Sequence, residues 1–188
     1  MDYDKIHAVM GYLWSPLAAV SASWQGKDNA QIAVAIAAAS IVPDRPRLIV
    51  QLYKTNLTHD LVVKSKSFAV NFLRKDQVEL VHELGFSSGR DRDKLASIPY
   101  RAGPTRSPIL KECLAYMDCR VVNAMDGGDM TAFLGEVVDG DTLSEAEPLF
   151  WHHLRTVMPQ AWVQEWDTKI KREIEISRER MGKIRWGA

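Results

Sequence analysis

The sequence predicts a mainly β protein, a small barrel or sandwich of short strands with a few short helices and one long amphipathic helix at its C-terminal end. Three observations carry that expectation. Short apolar stretches recur between turn-forming residues, as in PLAAVSASW (16–24), LIVQL (48–52) and SFAVNFL (67–73). Two further strand-like runs, 114–124 and 131–138, flank the glycine-bearing MDGGDM in the manner of a hairpin. Beyond Pro159, Trp162, Trp166, Ile170 and Ile174 recur every four residues among charged side chains, which marks a helix with one apolar stripe.

The chain of 188 residues, 46% hydrophobic and 26% charged, is long enough to bury one sizeable core without disulfides and too short for two catalytic domains. Lys plus Arg and Asp plus Glu both number 24, so the broad electrostatic attraction that nucleic-acid binders depend on is missing. The longest apolar run, 32–42, is too short to span a bilayer, and MDYDKIH opens with acids where a signal peptide is basic. A cytoplasmic protein is expected.

Taken in order, 16–24 is a strand followed by a hairpin loop at QGKDN (25–29). The run 32–42 has helix-forming alanines, but its bounding turns and its Ile and Val residues favour a buried strand. The prolines of PDRPR (43–47) break regular structure ahead of the strand at 48–52. A short helix THDLVVKS, capped by Thr58, leads to the strand at 67–73. Asp76, with Glu79 three residues on, opens a helix whose inner face is Val78, Val81 and Leu84 and which closes at Gly85. In the last helix, Glu165 with Lys169, Asp167 with Lys171 and Glu179 with Lys183 have the acid-before-base spacing that supports helical structure. Residues 1–158 are expected to form the barrel domain and 159–188 a helical extension.

Little in the chain points to side-chain catalysis. The five histidines, His7, His59, His82, His152 and His153, form no spaced ligand set, and the adjacent His152 and His153 would face opposite sides of a strand. Cys113 and Cys119 are expected roughly 20 Å apart along one strand, too far to bridge, and neither sits at a basic helix start. No glycine-rich dinucleotide loop, Walker loop or nucleophile elbow is present. One segment stands out, YKTNLTHDL (53–61). A helix start there offers free N–H groups to an anion, and Lys54 with the hydroxyls of Thr55 and Thr58 would complete a phosphate site; a capped helix with a solvated lysine accounts for the same residues.

The order of segments resembles the flavin reductase-like family of FMN-binding split barrels. The resemblance runs through PLAAVSAS, DNAQIAVAIAAASIVPDRP, KTNLTHDL with KSKSFAVNFL, SSGRDRDKL (87–95) and GGDMTAFLGEVV (127–138), over residues 14 to 143. These are similar to the family's Asn-bearing strand, its helix and S-x-F-x-V-N strand, its SGRDxDKF and its GDHxxFxGEV.

The resemblance implies a homodimeric Greek-key split β-barrel with FMN near the subunit interface. It also implies a donor, NADH, NADPH or a redox protein, and hydride transfer from NAD(P)H to flavin, the alternative being a non-enzymatic electron-transfer flavoprotein that nicotinamide does not reduce. Carried over by position, Asn29, Gln31, Ala37, Ala38, Ala39 and Ser40 would lie along the isoalloxazine and ribityl chain, while Lys54, Thr55, Asn56 and Thr58 would reach the phosphate. No residue is assigned as a catalytic acid, base or metal ligand. Met130 stands where the family motif has histidine, and methionine cannot donate a hydrogen bond.

Overall fold

Strand β1 (Ala18–Trp24) turns into β2 (Lys27–Ala33) through Gln25 and Gly26, whose φ angles of 49° and 77° suit the two-residue turns that follow strand twist. The turn is shorter than the loop expected at 25–29, so Asn29 already belongs to a strand. This is a computed structural model that describes residues 3–181. The run 32–42 is not one strand. It contains the end of β2, a break, and β3 (Ile36–Ala38), which pairs with β4 (Arg47–Tyr53) instead of β1.

Helix α2 (Leu57–Ser65) follows β4, with Asn56 at its cap and Thr58 inside its first turn, so Thr58 is not the capping residue. Lys66, in the left-handed conformation, ends the helix and leads into β5 (Ser67–Phe72). Helix α3 (Val78–Gly85) begins after Gln77; the expected cap, Asp76, instead binds Arg74 Nε at 3.0 Å. A small hairpin not foreseen, β6 (Tyr100–Ala102) with β7 (Pro108–Leu110), precedes the long hairpin of β8 (Ala115–Asp126) and β9 (Met130–Thr142). His152 and His153 lie on a helix, α4 (Trp151–Val157), where a strand was expected. Helix α5 (Gln160–Met181) follows, and α1 (Tyr3–Met10) precedes the barrel.

The main sheet runs β2-β1-β5-β8-β9-β4-β3, antiparallel throughout. The long hairpin is thus inserted between β5 and β4, and the short step from Ala33 to Ile36 joins the two edges, which requires the sheet to curl into a half-barrel. Register shifts at Asp118/Cys119 and Val121/Asn123 help bend β8. Both faces of β1 and β5 are buried. Val20, Val50, Leu52, Val62, Phe68 and Phe133 fill the concave side beneath α2. Leu17, Leu73, Leu84, Ile109, Leu149 and Leu154 form the second cluster, on which Trp151, Trp162 and Trp166 pack.

Helix α5 therefore starts against the outside of the barrel. Trp162 stacks on His82 with ring centroids 4.3 Å apart, and Trp166 meets Phe86 and Trp151 at 5.4 and 5.2 Å. Glu165 lies 3.1 Å from His82 Nε2 and Asp167 4.0 Å from Arg155, while Lys169 pairs forward with Glu173 at 3.8 Å, so these acids do not take the expected partners. Lys183, the expected partner of Glu179, lies outside the described residues with the rest of 182–188. Cys113 and Cys119 are buried and free, as expected, but only Cys119 is on a strand, since Cys113 precedes β8. Among the described residues no helix is long and apolar enough to cross a membrane.

Candidate functional site

The segment 54–58 is shaped by the end of β4. Lys54 N donates to Asp129 O at 2.9 Å across to the β8–β9 turn, and Asn56 N donates to Tyr53 O at 3.1 Å, which bends the chain into α2. The Asn56 side chain makes no capping hydrogen bond, so the first-turn N–H groups receive no acceptor from the cap. Ahead of this helix start, two basic or hydroxyl side chains hold carboxylates from distant segments. Lys54 Nζ donates to Asp126 Oδ1 at 2.5 Å, and Thr55 Oγ1 donates to Glu173 Oε2 of α5 at 2.9 Å. The Lys54 ammonium holds the Asp126 carboxyl below its ordinary range.

Thr58 is fully buried, and its hydroxyl accepts from Asn29 Nδ2 at 2.8 Å. Asn29, only 2% exposed, is in turn covered by Gly89 of the SSGRDRDKL segment, where a Cβ would overlap its amide oxygen. Arg90 of that segment binds Asp60 of α2 at 2.7 Å. The SGRD motif thus clamps the start of α2 onto β2. Gln31 stands two residues from Asn29 on the same face of β2, also buried, and its Oε1 has no hydrogen-bond partner among the described residues.

Ala37 and Ala38 are exposed on the edge strand β3, and beyond them Ser40 Oγ accepts from Val42 N at 3.1 Å. Ala37 lies opposite Ile49, five residues before Lys54, so the alanine edge and Lys54 are roughly 17 Å apart along β4. The structure therefore joins Asn29 to Thr58 and aligns Lys54, Thr55 and Asn56, but keeps Ala37, Ala38, Ala39 and Ser40 at the other end of β4.

Three residues at this segment, His59, Glu173 and Asp126, were not assigned to the site from the sequence. His59, buried beside Phe133, brings Nε2 within 2.9 Å of Thr131 Oγ1, and burial pushes its pKa down. Glu173 gave no signal because its partner is 118 residues away. Asp126, in the MDGGDM turn, was visible only as a turn residue.

The curled antiparallel half-barrel, here with a long C-terminal helix, is a fold shared with flavin reductase-like proteins. Residues 10–158 match the family model described as the flavin reductase like domain, and the chain belongs to that family. It is 28% identical over 159 residues to the high molecular weight rubredoxin of Moorella thermoacetica, covering 84% of this chain and 67% of the relative. It is 29% identical to the reductase component of a 4-nitrophenol 4-monooxygenase/4-nitrocatechol 2-monooxygenase of Rhodococcus opacus, covering 81% and 82%. The solved structure of an FMN-binding protein from Thermus thermophilus with bound 1-cyclohex-2-enone superposes with a TM-score of 0.65 at 30% identity, covering 70% of this chain and 72% of that one. The match leaves α5 outside the family domain.

The residues present fit a flavin phosphate and ribityl chain. The uncapped start of α2 offers N–H donors, Lys54 and Thr55 offer a cation and a hydroxyl, and the orphan Gln31 Oε1 offers an acceptor for a hydroxyl or ring N–H.

Proposed function

We propose that the protein is a cytoplasmic, homodimeric FMN-dependent reductase that takes a hydride from NADH or NADPH and hands the electrons to free flavin or to a partner protein. In this reading Lys54, Thr55, Asn56 and the first-turn N–H groups up to Thr58 hold the phosphate. Asn29 braces Thr58, Gln31 accepts from the ribityl chain or ring, and Ala37, Ala38, Ala39 and Ser40 let the backbone approach the isoalloxazine closely. Bound FMN supplies the two-electron chemistry. The protein contributes position and electrostatics, in keeping with a site that has no acid–base pair among these residues.

The observation that carries this reading is the pair of carboxylates on Lys54 and Thr55, since side chains that gather anions from two distant segments mark where a phosphate would be held. The relatives named as a monooxygenase reductase component and as an FMN-binding protein support the flavin and its onward delivery. The dimer is motivated by apolar side chains left exposed on and around the β8–β9 hairpin. Ile41 is 99% exposed, Val42 and Val138 stand out near the contact in which Val137 N donates to Pro46 O, and Val122 and Met125 are exposed along β8.

The second reading, an electron carrier that nicotinamide does not reduce, is favoured by Met130, which opens β9 opposite Tyr53 and has no donor for a nicotinamide carboxamide. An anaerobic visible spectrum with FMN, then with NADH and NADPH, separates the two. Bleaching of the flavin band by either nucleotide supports the reductase. A bound flavin that stays oxidised until dithionite is added supports the carrier, and failure to bind FMN refutes both.

A further inference from the structure

The inward stripe of α5 changes character along its length. Trp162, Trp166, Ile170 and Ile174 are partly buried, as a helix lying on a barrel requires. Yet Glu173, on the same stripe, is also turned inward, with its side chain only 23% exposed. Its carboxylate accepts the Thr55 hydroxyl bond and lies 3.8 Å from Lys169, one turn earlier. One apolar residue here would have continued the packing. Instead the helix places a negative charge on a hydroxyl of the anion-attracting segment, while Asp126 occupies Lys54 beside it.

Resting on the flavin reading above, we propose that Glu173 is a specificity-determining residue that competes with the 5′-phosphate of the flavin, so that seating of the last turns of α5 and binding of a phosphorylated flavin exclude each other. A phosphate at Thr55 meets the Glu173 carboxylate at hydrogen-bond range, where two anions repel strongly once partly shielded from water. Riboflavin, which has the same ring and ribityl chain and no phosphate, does not meet this obstacle. In this proposal Trp162 and Trp166, packed on His82, Phe86 and Trp151, keep the beginning of α5 in place while residues 170–181 lift.

The test measures FMN and riboflavin affinities by quenching of flavin fluorescence in the full-length protein, its Glu173→Gln and Glu173→Ala variants, and Glu175→Gln, which removes one charge from the exposed face of the same helix. Hydrogen–deuterium exchange over residues 170–181 is followed with each flavin. The expected result is an FMN affinity raised about fivefold or more by both Glu173 variants, with riboflavin unchanged and Glu175→Gln like the parent. Exchange over 170–181 should rise with FMN and not with riboflavin. An FMN-to-riboflavin ratio that neither Glu173 variant alters, an equal effect from Glu175→Gln, or protection of 170–181 by FMN overturns the proposal while leaving the flavin reading intact. If neither flavin binds any of the proteins, both fall.

Discussion

Asn29 of β2 donates its side-chain amide to the Thr58 hydroxyl in the first turn of α2 at 2.8 Å, and both groups are shut off from solvent. This bond fixes the direction in which α2 leaves the sheet, and with it the position of the N–H groups ahead of Lys54 and Thr55. Gly89 seals it from outside.

Removing either end leaves a buried polar group unpaired, so Asn29→Ala is expected to cost about 1–3 kcal/mol in urea unfolding. Gly89→Ala should cost a similar amount, about 1–3 kcal/mol, by overlap with the Asn29 amide. Because the overlap disappears with Asn29, the double variant should be less destabilised than the sum of the two, which equilibrium unfolding reads directly.

Gly135 of β9 has no room for a side chain: a Cβ there would lie 2.6 Å from Phe68 Cζ and 3.1 Å from Cys119 Cβ. Gly135→Ala is expected to lower stability by about 1–3 kcal/mol, and Phe68→Leu in the same chain to return part of it. Thermal melts of the three proteins check the order.

Lys94 is buried, donates to Leu84 O at 2.7 Å, and has its pKa pushed down to about 7 by burial, with Lys169 and Arg92 adding to the effect. Below that value the folded protein must carry a buried charge, whereas the unfolded chain holds the proton up to about 10.5. Between the two the unfolded state binds more protons, so stability from this group rises with pH. Buried Cys113, raised to about 11, acts in the opposite sense above its ordinary value of 9. The urea midpoint should therefore climb from pH 7 toward 9, and Lys94→Met should flatten that climb.

Trp166 holds α5 to the barrel through Phe86 and Trp151, while Lys169 of the same helix places its ammonium 5.6 Å from the ring centroid. Since the ring is only partly buried, Trp166→Ala is expected to cost about 2 kcal/mol, less than a fully buried tryptophan. Amide exchange over 160–169 should rise well before the barrel strands respond.

If Lys54 holds the flavin phosphate as proposed, Lys54→Ala should weaken FMN binding about tenfold and leave riboflavin within twofold, since riboflavin lacks that group. Equal losses for the two flavins would place the lysine elsewhere in the site. Isothermal titration with each flavin gives the comparison.

The elements that show in the sequence are those whose signal is local. The β8–β9 hairpin follows from alternation around two glycines, and α5 from a four-residue apolar spacing that tolerates no strand. The run 32–42 is the opposite case. Its alanines suit both regular structures, and the break between β2 and β3 is imposed by the need to carry the chain from one sheet edge to the other. Thr58 has the composition of a helix cap, and only Asn29, far off in the chain, makes it an internal anchor. Asn71 is similar: it lies in the S-x-F-x-V-N strand, and its amide ties β5 to Ala19 O at 3.0 Å and to Leu110 N at 2.8 Å. Several family motifs thus hold the frame around the site, and the charge on Thr55 comes from a helix beyond every one of them.

The burial of both cysteines bears on what the protein can survive. Reduced flavins pass electrons to dioxygen, so a flavin reductase works amid peroxide of its own making. Thiols are oxidised as thiolates, and burial raises the pKa of Cys113 and of Cys119, leaving almost no thiolate at neutral pH. The sulfur atoms, Cys119 on β8 and Cys113 just before it, are inert filling, and turnover in air should leave both as free thiols.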